Sequence, residues 1–253
     1  MVGTVRGGSR LSRGHSSAFI NVKACMDECG TGSLTPLRVR RMPHARTYEH
    51  ALVKAGLGPV AGVDEAGRGA CCGPMAIAAC ILPSRPILGL DQLTDSKKLS
   101  ERTREKLFPI IQQYAESWSV ILIPPADIDA YGIHVMNITG MRRAVGTLEQ
   151  HPRYVLTDAM RVDGLTQPHL PIIGGDSSAR CIAAASVLAK VTRDRYMCEL
   201  AQQYSEYGFD KHKGYGTRQH MDAVRLHGGT VEHRYTYRNV MEAIAVYHAK
   251  RSS

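Results

Sequence analysis

A mixed α/β domain, with helices packed on a central sheet, is the fold class this sequence predicts. Two short apolar runs bounded by glycines come first, and strand-like runs then alternate with segments of helical period. A long later segment carries a patch, Ala183-Ala184-Ala185-Ser186, small enough to pack closely on a sheet. "PVAGVDEAG" (59–67) and "GPMAIAACIL" (73–82) read as consecutive buried strands. Ser100 can cap a helix whose apolar residues Leu107, Ile110, Ile111 and Tyr114 share one face. "WSVILI" (118–123) reads as another strand, ended by Pro124-Pro125. Ile138, Met141, Val145 and Leu148 mark a second helix, and "RYVLTD" (153–158) is a strand that ends on an acid. After "HLPIIGGD" (169–176), a long helix begins at Ser177 or Ser178 and runs to Tyr204. Thr217 can cap the last clear helix, which stops at Gly228-Gly229.

The chain of 253 residues suits one sizeable domain plus a tail, and 43% hydrophobic residues suffice for a core. With 3 Phe and 1 Trp, that core must be aliphatic. The formal charge of +9 suits a polyanionic partner such as nucleic acid. Residues 1–50 hold eight Arg and Lys against Asp27, Glu28 and Glu49, so they supply +5 of that charge; they read as a largely disordered basic arm. Such an arm can add non-specific attraction to phosphates. The catalytic domain is expected to occupy 51–253. Seven cysteines include four (Cys71, Cys72, Cys80, Cys181) within apolar runs, which predicts buried free thiols in a reducing compartment. No apolar run approaches the ~20 residues needed to cross a bilayer, so the expectation is a cytoplasmic protein with no membrane partner.

Four acids sit at the edges of these elements. Asp64 and Glu65 end one apolar run, Asp158 ends another, and Asp176 precedes the long helix, whose positive end would favour an anion. Adjacent acids in a strand point to opposite faces. An acid at a strand end is usually a turn or cap residue. Several carboxylates gathered in one place, however, need cations to neutralise them, and oxygen-rich clusters suit Mg²⁺ or Mn²⁺. Gly67-Arg68-Gly69 follows at once, where glycine amides can turn toward a ligand and the arginine can reach a phosphate. The spacing to Gly73 is one residue too long for a dinucleotide fingerprint, and no phosphate-binding P-loop pattern occurs. Lys97 and Lys98 lie in "DSKKLSERTREK", a solvated basic turn or a polyanion contact. Tyr215 stands among Lys211, Lys213 and Arg218, which suits sugar or base stacking as well as a structural turn. His212, His220, His227 and His233 lack recognised zinc spacing and are assigned no metal.

Between Gly58 and Val240 the segments "GVDEAGRG", "LTDSKKLS", "YVLTDAM", "GGDSSARCIAAASVLAKVTRDRYM" and "YGFDKHKGYGT" occur in order. Together they resemble ribonuclease HII, the type 2 ribonuclease H family. The resemblance implies a ribonuclease H-like fold, a mixed central sheet flanked by helices, with a helical C-terminal extension over about 205–253. It implies that Asp64, Glu65, Asp158 and Asp176 are the catalytic acids and bind two divalent ions, Mg²⁺ or Mn²⁺. One ion would activate the attacking water and the other would stabilise the leaving 3′-oxygen. Gly67, Arg68 and Gly69 would recognise a ribonucleotide 2′-hydroxyl, Tyr215 would pack on the neighbouring deoxyribose, and Lys97 and Lys98 would lie near phosphates. The implied partner is an RNA–DNA hybrid, or duplex DNA containing a ribonucleotide, cut by a monomer to leave 5′-phosphate and 3′-hydroxyl ends. Ala159, Gly174, Tyr235 and Tyr237 depart from the family's usual residues, which leaves substrate contacts in the tail open. All four acids are present, which argues against a non-catalytic binding protein. The complete Gly-Arg-Gly and Tyr215 argue against a resolvase or exonuclease.

Overall fold

Strand β1 (Val60–Ala66) lies at the middle of a five-stranded sheet, and the other elements are arranged around it. The computed structural model describes residues 47–252. The basic arm and Cys25 and Cys29 thus lie outside the described residues, apart from helix α1 (Thr47–Lys54). Strand β2 (Met75–Ile81) pairs antiparallel with β1, and β3 (Ser117–Ile123) pairs antiparallel with β2. On the other side, β4 (Tyr154–Asp158) and β5 (His169–Ile172) run parallel to β1, giving the order β3-β2-β1-β4-β5. Helices α2 (Glu101–Tyr114), α3 (Pro125–Tyr131), α4 (Ile133–Gly146), α5 (Gly175–Ser178) and α6 (Arg180–Gln203) pack around the sheet. After a 3₁₀ turn, α7 (Phe209–His212), α8 (Arg218–His227) and α9 (Arg238–Arg251) make a helical C-terminal region. No helix among the described residues is long and apolar enough to cross a membrane.

Side-chain size decides which helix lies on which face. In β2, Ala76, Ala78 and Cys80 face α6 and α2, while Met75, Ile77, Ala79 and Ile81 face α4. The small face lets α6 come down on the sheet until backbone meets backbone. A Cβ on Gly62 of β1 would collide with the Cys181 carbonyl carbon and the Ile182 amide nitrogen. The alanine patch of α6 is buried against the same face, as its composition predicts. Cys71, Cys72, Cys80 and Cys181 are buried free thiols.

Caps at Ser100 and Thr217 form as predicted. Ser100 Oγ accepts from Thr103 N–H at 3.1 Å, and Thr217 Oγ1 accepts from His220 N–H at 3.2 Å. The start of the long helix differs. Ser177 and Ser178 belong to the one-turn α5, Ala179 is extended at φ −125° and ψ 126°, and α6 begins at Arg180. The carboxylate at the α6 N-terminus is therefore Glu49 of α1, whose Oε1 accepts from Cys181 N–H at 2.8 Å, and not Asp176. Pro124-Pro125 does end β3, but Pro125 also opens α3, since a first-turn proline gives up no helical hydrogen bond. Thr217 does not cap the last helix, because α9 follows.

The Gly62 contact is open to measurement. Gly62→Ala should cost about 3 kcal/mol or more, since a backbone collision relaxes poorly. That corresponds to a Tm lower by roughly 6–12 °C. Gly146→Ala, where a Cβ meets nothing within 4 Å, should leave Tm unchanged or slightly higher.

Candidate active site

Parallel pairing of β1 with β4 brings distant acids together. Val63 is opposite Thr157, so Asp64 and Asp158 follow at the same edge of adjacent strands. Strand β5 pairs Ile172 with Asp158, and the short turn after it carries Asp176 back toward both. Gly174 takes φ 65° in that turn, and Gly175 N–H donates to Asp158 Oδ1 at 2.8 Å. Carboxylate oxygens of Asp64, Asp158 and Asp176 lie within 4.8 Å of one another. Glu65 is outside that group. As the pleat requires, Asp64 faces Ser186 of α6, while Glu65 faces the α4 side near Asn137 and sits 3.9 Å from Arg68 Nη1.

Burial and repulsion from neighbouring carboxylates act on Asp64, Glu65 and Asp176 in one direction. Burial, then Glu65 and Asp158, hold the Asp64 carboxyl well above the usual range, against the Ser186 hydroxyl and the Glu65 amide that favour its charge. Burial raises Glu65 despite Arg68, and burial with Asp158 and Asp95 raises Asp176. Lys97 faces the cluster. Burial disfavours its charge, but Asp64, Asp176, Asp95 and Asp158 raise its amine overall. One lysine against three clustered aspartates leaves negative charge that a hard divalent cation can take up through oxygen donors. Asn137, fully buried beside Glu65, is a polar group that favours the charged form of that acid. The donor set therefore fits Mg²⁺ or Mn²⁺.

The Gly-Arg-Gly turn is held from below by two fully buried arginines. Arg193 donates from Nε to Pro74 O at 2.9 Å, from Nη1 to Lys213 O at 2.9 Å and from Nη2 to Cys72 O at 3.0 Å. Arg234 donates to Gly73 O and, at 2.9 Å, to Arg68 O, which also accepts from the Tyr237 hydroxyl at 2.8 Å. Gly67, at φ 84°, lies flat on Arg193, and a Cβ there would collide with the guanidinium. Gly69 is open, with nothing within 4 Å of a built Cβ. Arg68 keeps its side chain 45% exposed. Across the same guanidinium lies Tyr215, 41% exposed, with Arg193 Cζ 5.6 Å from its ring centre. Lys98 reaches Ser177 Oγ at 2.9 Å and stands 3.7 Å from Asp95. Tyr235 donates its backbone N–H to Asp129 at 2.7 Å, so the two tail tyrosines have different jobs.

Reading the sequence alone overlooked four residues. Asp95 touches Asp176, and Ser186 links Asp64 to Ser96 through a 2.7 Å hydroxyl contact. "TDSKK" signalled Asp95 only through its lysines, and Ser186 was read for size alone. Arg193 and Arg234 sit in charged strings, "TRDR" and "HRY", that look like solvated surface.

A family model described as Ribonuclease HII matches residues 61–240. Ribonuclease HII of Corynebacterium efficiens is 63% identical over 205 residues, covering 81% of this chain and 89% of that protein. The crystal structure of ribonuclease H2 from Pyrococcus horikoshii OT3 superposes with a TM-score of 0.65 at 27% identity, covering 75% of this chain and 98% of that one. Bst-RNase HIII in complex with Mn²⁺ shares the fold, with a TM-score of 0.61 at 16% identity over 90% of this chain and 80% of that one.

Replacing one crowded acid should stabilise the metal-free protein. Asp64→Asn, in the presence of a chelator, should raise Tm by about 3 °C, as expected for roughly 1 kcal/mol. A raised carboxyl means that the folded state holds its proton to higher pH, so wild type loses stability as pH rises through that value. The gap in Tm between variant and wild type should accordingly be wider at pH 8 than at pH 5. Mn²⁺ should raise the Tm of wild type more than that of the variant.

Proposed function

The chain belongs to the ribonuclease HII family and is an enzyme of the ribonuclease H type, and on that premise we propose that it cleaves the RNA strand of RNA–DNA hybrids and the 5′ side of single ribonucleotides in duplex DNA. The observation that carries this reading is the convergence of Asp64, Asp158 and Asp176 at one sheet edge. The Gly67–Gly69 turn lies immediately beyond the same strand. Asp64, Asp158 and Asp176, with Glu65 beside them, would hold two divalent ions, Mg²⁺ or Mn²⁺. Such ions, when bound, supply Lewis acidity that generates a nucleophile from water and neutralises charge on the departing oxygen. That chemistry would leave a 5′-phosphate and a 3′-hydroxyl.

The protein's own groups do the positioning. Lys97, facing the acids, keeps a cation close to where a phosphate would arrive. Arg68, exposed beside Glu65, can reach the backbone, and Lys98 stands at the rim. The 2′-hydroxyl is what distinguishes ribose from deoxyribose, and a turn built on glycines brings backbone amides within reach of it. Tyr215 offers the face of its ring to the deoxyribose beside the ribonucleotide. The protein acts as a monomer in this reading, since every group invoked comes from one chain. Residues 1–50 would add a screenable attraction to the polyanion.

A duplex DNA carrying one ribonucleotide, assayed with Mg²⁺ or Mn²⁺ beside an all-DNA control, tests the proposal. Cleavage 5′ to the ribonucleotide, and none in the control, is expected; an intact ribonucleotide strand would sink the reading. Asp158→Asn should lower turnover by about a thousandfold, at about 1.4 kcal/mol per tenfold, with substrate binding little changed. Retained turnover would remove Asp158 from the site.

A further inference from the structure

Beneath the Tyr215 loop lies a buried cluster that the nuclease reading does not use. Cys72, His220 and His233 each bring a potential ligand atom within 4.8 Å of the others. Hydrogen bonding, however, places the protons in a way that leaves no site for an ion. Thr230 N–H donates to His233 Nδ1 at 2.9 Å, so that nitrogen is an acceptor and the proton of the ring is on Nε2. His233 Nε2 is 3.1 Å from His220 Nε2, which must then accept. The His220 proton is thereby on Nδ1, 3.0 Å from the carbonyl oxygen of Tyr215, to which it donates. Every ring nitrogen is engaged, His233 Nδ1 by the Thr230 N–H and also, at 3.0 Å, by the Thr230 hydroxyl, and no lone pair is left for a metal. Burial also pushes His220 down to about 3 and His233 down to about 4, keeping both rings neutral. It pushes the Cys72 thiol up, keeping the sulfur protonated.

The chain of donors ends on the residue whose ring is exposed across Arg193 from the Gly-Arg-Gly turn. Around it, Gly214 N–H donates to His212 Nδ1 at 3.2 Å, and His212 stacks on His220 with ring centres 4.6 Å apart. Gly214 O accepts from Cys71 N–H at 2.9 Å, and Lys213 O accepts from Arg193. The backbone on the N-terminal side of Tyr215 is thus fixed by the β1–β2 connection and Arg193, while its own carbonyl accepts both from Thr217 N–H, at 2.8 Å, and from His220.

We propose that His220, oriented by His233, is a positioning residue for Tyr215: the proton order Thr230→His233→His220→Tyr215 sets the tilt of the tyrosine ring against the sugar beside the cleaved ribonucleotide. The inference rests on the reading of Tyr215 as the sugar-stacking residue. It assigns the two histidines a part in substrate preference without contact with substrate, and it excludes a structural zinc at Cys72, His220 and His233.

Substitutions that keep or remove the donor decide it. The amide of Asn can take the place of Nδ1–H, so His220→Asn should keep the preference for a single-ribonucleotide duplex over a uniform RNA–DNA hybrid to within about threefold. His220→Leu, similar in size but without a donor, should lower that preference by about tenfold, as Tyr215→Ala does. In the Tyr215→Ala background, His220→Leu should change the preference no further. If His220→Leu does not fold, His233→Phe serves in its place, since it removes the orienting N–H among aromatic neighbours at Tyr207 and Phe209. Unchanged preference in the donor-less variant, while Tyr215→Ala lowers it, would overturn the inference and leave the Tyr215 reading standing. Unchanged preference in Tyr215→Ala itself would remove both. Nitrogen NMR of the wild-type rings should find the proton on Nδ1 of His220 and Nε2 of His233. The opposite tautomers, or stoichiometric zinc lost in His220→Asn, would also overturn it.

Discussion

Everything at the site depends on how closely α6 approaches β1. Gly62 allows the backbones to touch, and that contact fixes the height of α6 above the sheet along its whole length. From its position on the helix, Ser186 then meets Asp64, and two turns later Arg193 meets Gly67 and Pro74. A side chain at 62 would lift the helix and shift both contacts together. The alanines that follow Cys181 make the same demand from the helix side, being too small to reach a sheet held farther away. One steric allowance thus sets both the acid cluster and the turn beside it, because protein interiors pack too densely to absorb a change at a single point.

The acids are kept in a state that folding alone would not choose. Asp64 and Asp176 are buried, each against the charge of Asp158, and the nearby cation, Lys97, does not balance them. Sites of this kind cost stability until a ligand or ion restores the balance, the usual relation between function and marginal stability. Glu49 shares part of that cost. Burial raises its carboxyl too, although one of its oxygens accepts from the first turn of α6, where the helix favours an anion.

Much of the scaffold was legible in the sequence, for local reasons. Strands β1 to β4 announce themselves by apolar runs between glycines and prolines, and the Ser100 and Thr217 caps by residue type. Strand β5 is hidden by its four-residue length and by Pro171. The start of α6 was misplaced because nothing in "SSAR" marks Ala179 as extended. The candidate site was legible only in part. The adjacent Asp64 and Glu65 attract notice, but that Asp158 stands beside Asp64 depends on a parallel pairing of β1 with β4 across a long stretch of chain. From the residues alone that pairing is invisible; the family resemblance supplied it. Asp95, Ser186, Arg193 and Arg234 acquire meaning only from what they touch.

Arg193 and Arg234 carry a consequence beyond support. Both are wholly buried and bonded to backbone carbonyls rather than carboxylates, and Arg193, though burial lowers it to about 10, stays charged at neutral pH. Their positive charge lies directly under the turn, walled off from dissolved ions. Arg68 and Lys98, exposed at the rim, lose their pull on a polyanion as salt rises. The interior pair is shielded from that screening, so its charge beneath the turn persists at ionic strengths that silence the rim.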